Sequence, residues 1–131
     1  MTIRPLHRRL AAEPASVPAL RTAATDFAER SGMQGRRLHD LRLAVSEAVT
    51  NAVVHAYRDA DGAGDIELTA SVDRGTLIVR VTDEGGGMRA RADSPGAGIG
   101  LPLIASVTDD VHVEVGGAAA GTSVTMCFRL P

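Results

Sequence analysis

The chain has 131 residues and a mass of 13.6 kDa, the size of one ordinary domain, and 44% of its residues are hydrophobic, enough for a buried core. All 14 basic residues are Arg, which excludes a Walker-A phosphate loop and a Schiff-base lysine, since each needs Lys. A formal charge of −2, two Phe, one Tyr and no Trp exclude both a basic field for nucleic acid and an aromatic platform for stacking bases.

The single Cys cannot form an intrachain disulfide, and no Cys/His cluster has zinc spacing. Met1 to Pro5 lacks the apolar stretch of a signal peptide, and no apolar run approaches the ~18 residues of a membrane helix. The expectation is a protein of the reducing cytoplasm, off the membrane and off nucleic acid.

Residues 2–10 read as an edge strand, where Pro5 is tolerated. Ser16 is the expected N-cap of a first helix, in which Val17, Leu20, Ala24, Phe27 and Ala28 recur at helical spacing and which Gly32 ends. A longer helix is predicted from about Arg36 to Tyr57, before Asp59-Ala60-Asp61-Gly62. The period then changes to two. Ile66, Leu68, Ala70 and Val72 share one face, Asp73-Arg74-Gly75 reads as a hairpin turn, and Leu77, Val79 and Val81 share the next inward face. A glycine-rich loop runs from Glu84 to about Gly98, Leu101 to Val107 suits a short helix, and two alternating strands follow. Strands that are apolar on one face need one covering layer, so the predicted fold is α+β. It is a two-layer sandwich of a mixed, mostly antiparallel sheet under helices.

Parity adds a sharper expectation. Asp83 continues the inward face of Leu77, Val79 and Val81, and Thr122 that of Val124, Met126 and Phe128. A carboxylate and a hydroxyl therefore point from strand ends into the space under the helices. An inward carboxylate is costly unless it meets donors. On sequence alone Asp83 could equally cap the turn that follows it.

Glu47, Asn51 and His55 stand four residues apart on the long helix. With Leu41 at zero they fall near about 240°, 280° and 320° of helical rotation. Leu41, Val45, Ala48, Val49 and Ala52 cover the buried arc, which puts Glu47 and Asn51 at its border, as a cleft wall or as a solvated helix edge. An amide oxygen suits Mg²⁺, which keeps several of its waters, and a carboxylate one turn away can take a proton from a nucleophile. His55 reads as structural. Downstream come Asp83-Glu84-Gly85-Gly86-Gly87, then Gly96-Ala97-Gly98-Ile99-Gly100-Leu101-Pro102 at a helix start, where bare N–H groups favour an anion, then Gly121-Thr122.

The order Glu-x-x-x-Asn on a helix, Asp-x-Gly-x-Gly after a strand, Gly-x-Gly, and Gly-Thr before a final strand resembles the GHKL ATPases, which bind ATP in a Bergerat-type pocket. Residues 47–57 look most similar to the anti-sigma factor serine kinases, the SpoIIAB and RsbW group, and the resemblance covers about residues 36–130. It implies that Asn51 coordinates the Mg²⁺ bridging the ATP phosphates and that Glu47 is the general base for a partner's hydroxyl. It further implies that Asp83 accepts a hydrogen bond from the adenine amino group, with Thr122 assisting through water, and that Gly85 and Gly87 line the adenine side. Gly98, Ile99 and Gly100 would form the lid end over the phosphates, to which Leu101 to Leu103 present helix N–H groups. Ten residues, Met88 to Ala97, separate Gly87 from Gly98, a short lid for this family.

The implied function is that of a serine/threonine protein kinase that binds a sigma factor and phosphorylates a small anti-anti-sigma protein of the STAS type. The alternative is an ATP-binding switch without phosphoryl transfer. One domain, 1–131, is expected, with residues 1–32 as a possible homodimerisation region and 36–130 as the ATP-binding core.

Overall fold

A computed structural model describes residues 3–59, 64–83, 100–115 and 121–131, with backbone alone for 55–59, 100 and 115. In chain order the elements are β1 (Leu6–Ala11), α1 (Ser16–Arg30), α2 (Gly35–Asp59), β2 (Asp65–Asp73), β3 (Thr76–Asp83), α3 (Gly100–Val107), β4 (Asp110–Val115) and β5 (Thr122–Arg129). The strands form one sheet in the order β1-β2-β3-β5-β4. Every described pairing is antiparallel, so the expected mixed character is absent among the described residues. The edge strand begins after Pro5, whose missing N–H would have cost a rung.

The β2–β3 hairpin turns at Arg74 and Gly75, both with positive φ (51° and 77°), the backbone hand that matches the twist of the flanking strands. Helix α1 corrects one expectation. Its N-cap is Ala15, not Ser16, and Ala15 makes no side-chain cap. Ser16 is the first helical residue, buried, and its hydroxyl donates to the carbonyl of Ala11 at 2.6 Å, which ties the helix start to the end of β1. At the other end Gly32 takes φ 101°, and the N–H groups of Gly32 and Met33 reach back to Glu29 and Ala28, a glycine-terminated helix end as its position predicts.

Helix α2 is the spine of the covering layer. It packs against α1 on one side and α3 on the other, and beneath it lie β2, β3 and β5. Leu41, Ala44, Val45, Ala48, Val49, Ala52 and Val53 are buried, the arc that the 3.6-residue period assigns to the sheet side. They meet Ile66, Leu68, Leu77, Val79, Met126 and Phe128 from the inward faces of the strands in one apolar cluster. The opposite face of the sheet is polar. Thr82 and Ser123 hydroxyls meet at 2.9 Å, the Arg80 guanidinium donates to Thr125 at 3.1 Å, and Arg9 pairs with Asp65 at 3.0 Å. A face so lined can stand in water without a second layer.

Candidate nucleotide site

Pairing register lines up the end of the sheet. Leu10, Ile66, Asp83, Thr122 and Val115 form one row across all five strands. Asp83 stands at the centre of that row, on the middle strand and directly opposite Thr122. Both are buried, at 8% and 3% exposure, and with Ser16 they are the buried polar side chains among the described residues. The inward parity of both residues is therefore realised. A carboxylate and a hydroxyl share one rung on the core face, and both engage neighbouring groups within the fold.

Gly121, immediately before β5, packs against this rung. A β-carbon at this position would lie 1.5 Å from the carbonyl oxygen of Asp83, 2.5 Å from its carbonyl carbon and 3.0 Å from Oδ1. Gly121 is not among the positive-φ glycines, so the requirement for glycine here is one of space and not of backbone hand.

On α2, Glu47 and Asn51 are half-buried, between buried Ala48 and Ala52 on one side and exposed Thr50 and Val54 on the other. They occupy the margin of the helix, as their angular position predicts. The side chain of His55 lies outside the described residues, as do Gly85, Gly87, Gly98 and Ile99. Gly100 opens α3 and half-buried Leu101 follows it. The helix start expected near the phosphates is therefore formed, beside α2. Further along the seam between α2 and α3 is an open groove of about 650 Å³ lined by Gly35, Arg36, His39, Asp40, Leu43 and Val107. Leu43, one helical turn before Glu47, is the lining residue nearest that carboxylate in the chain.

One cluster was not legible in the sequence because its members are far apart in it. The Asp109 carboxylate accepts from the backbone N–H of Arg129 at 2.6 Å and from the Arg37 guanidinium. Arg37 also lies over the Phe128 ring, 5.7 Å from its centroid. The clasp joins the first turn of α2, the α3–β4 connection and the end of β5. The Arg129 N–H, ahead of the Arg37 contacts, holds the Asp109 carboxyl below the usual carboxylate range. Cys127, on the outward face of β5, has its thiol pushed up by partial burial and by nearby Asp110 and Asp109, which suits a spectator thiol.

The comparisons with known proteins bear on this geometry. The family of histidine kinase-like ATPase domains matches residues 10–128. The chain belongs to this GHKL family, in its anti-sigma kinase branch. It is 30% identical to the serine-protein kinase RsbW of Bacillus pumilus, over 95% of this chain and 85% of that one. It is 29% identical to the anti-sigma F factor of Clostridium acetobutylicum, over 81% and 80%. Among solved structures, the RsbU and RsbW domains of a Mycobacterium tuberculosis protein match with a TM-score of 0.78 and 26% identity over 98% of this chain. The chain spans 33% of that longer protein. The likeness carries the two-layer α+β fold across nearly the whole chain.

Proposed function

We propose that this protein is an ATP-dependent serine/threonine kinase of the anti-sigma type, which binds a sigma factor and phosphorylates a STAS-type anti-anti-sigma protein in the cytoplasm. The observation that carries the reading is the buried Asp83–Thr122 rung at the end of the sheet, in a chain whose covering helix carries Glu47 and Asn51 on its half-buried margin. The relatives named as serine-protein kinase and as anti-sigma factor supply the activity and the class of partner.

The roles divide by chemistry. Asp83 accepts from the adenine amino group, and Thr122 supports it through water. Asn51 supplies a neutral oxygen to Mg²⁺, a cation that keeps most of its waters and needs few protein ligands. A half-buried amide fits that requirement. When bound, the ion neutralises charge on the phosphates. Gly85 and Gly87 line the base, and Gly98, Ile99, Gly100 and Leu101 close over the phosphates with backbone N–H groups in place of a lysine. Glu47 takes the proton of the incoming serine or threonine hydroxyl. That oxygen bonds to the γ-phosphorus as the bond from phosphorus to the ADP oxygen breaks, and ADP leaves with the electron pair. Residues 36–130 carry this core, and residues 1–32 serve homodimerisation.

The test is incubation of the protein with γ-labelled MgATP and a STAS-domain protein. Label on a serine or threonine of that protein is the expected result. Label appearing only as free phosphate refutes the kinase. Release of a bound sigma factor driven equally well by a non-hydrolysable ATP analogue, without label transfer, establishes a switch without chemistry.

A further inference from the structure

We infer that Gly121 is a positioning residue that sets the selectivity of the site for a 6-aminopurine. It does so by letting the start of β5 close onto the main chain of Asp83. This rests on the reading of Asp83 as the acceptor for the base.

A β-carbon on Gly121 would stand 1.5 Å from the Asp83 carbonyl oxygen and 2.5 Å from its carbonyl carbon. Both are main-chain atoms of a central strand, held by pairing to Ile66 on one side and Thr122 on the other. No side-chain rotation relieves such a collision; the end of β3 or of β5 has to move. The atom next in line is Oδ1 of the Asp83 carboxylate, at 3.0 Å. The smallest side chain at position 121 therefore displaces the one group that reads the base. Alanine is compatible with the backbone hand at this position, because Gly121 is not a positive-φ residue, so the substitution acts through that displacement and not through local strain. It acts at the last rung of the sheet, away from buried Leu77, Val79, Met126 and Phe128, which hold the strands further along. The fold should survive while the acceptor shifts. A site built to hydrogen-bond a substrate N–H discriminates sharply only while its acceptor stays in register.

The experiment is titration of wild type and Gly121→Ala with MgATP and with MgITP, whose purine carries a 6-oxo group where ATP carries the amino group. Circular dichroism monitors the fold, and Ser123→Ala, two residues further along the strand, is the control. Wild type and Ser123→Ala should prefer ATP by about tenfold or more, the effect of one hydrogen bond to a charged acceptor. Gly121→Ala should lose most of that preference, through weaker ATP binding and not through tighter ITP binding, with an unchanged dichroism spectrum. Equal weakening of both nucleotides with the preference intact would overturn the role of Gly121 and leave Asp83 as the acceptor. Global unfolding of Gly121→Ala would also overturn it, since the effect would then not be local. A wild type that binds ATP and ITP alike removes Asp83 as the reader of the base, and the role of Gly121 with it.

Discussion

The two ends of the candidate site are built differently. Asp83 and Thr122 lie on a sheet rung, nearly closed to water and held from both sides by strand pairing. Glu47 and Asn51 lie on the margin of a helix, half open. Recognition of a flat base needs fixed groups whose desolvation is already met by the fold, because a shift of an ångström costs the contact. Transfer to a second protein needs a base that the incoming hydroxyl can reach and a metal ligand that leaves room for water and phosphate. The buried end sits on the middle strand of the sheet and its neighbour, and the accessible end where the helix meets solvent.

That division predicts separable losses. The largest is in Glu47→Gln, which should slow transfer to a partner serine by about 10²–10⁴-fold, the usual worth of a positioned base. MgATP affinity should stay within about twofold of wild type, since a base acting only in the transition state contributes little to binding. Single-turnover transfer and calorimetric titration on the same preparation check both halves. Next is Asn51→Ala, expected to weaken MgATP by about 100-fold through loss of the metal's seat. Chelating Mg²⁺ should then weaken ATP binding by wild type and leave the already weak binding of the variant unchanged. At the buried end, Asp83→Asn keeps the shape and removes the charge. ATP affinity should fall by about tenfold, while transfer at saturating ATP stays near wild type, read by separating KM from kcat.

The smallest effect lies away from both ends. Asp109→Asn should cost about 1 kcal/mol of stability, as for a partly exposed ionic cluster, and should leave MgATP affinity unchanged. Because the folded-state carboxyl is held below its ordinary value, its contribution is present above the unfolded pKa and is lost as pH falls through the folded one. The stability gap between wild type and Asp109→Asn should therefore be constant at neutral pH and close in acid, below about pH 4. Denaturant melts at several pH values measure it.

Much of this was legible in the sequence because it depends on period. The buried arc of α2 and the inward faces of β2, β3 and β5 follow from spacings of 3.6 and 2, and the same parity placed Asp83 and Thr122. What was not legible depends on contacts between distant segments. Ser16 read as a cap from its type, yet its hydroxyl serves Ala11 instead. The Arg37–Asp109–Arg129 clasp joins residues up to 92 positions apart. Gly121 read as the glycine of a Gly-Thr pair before the final strand, and only the backbone of Asp83 beside it reveals why a side chain is excluded there.

On this reading the two ends hold one nucleotide. A crystal structure of the protein with Mg²⁺ and a non-hydrolysable ATP analogue is the decisive test. The adenine amino group should lie within hydrogen-bonding distance of the Asp83 carboxylate, and the metal on the Asn51 side-chain oxygen with Glu47 facing the γ-phosphate. Adenine bound away from the Asp83–Thr122 rung, or a metal seated without Asn51, would contradict it.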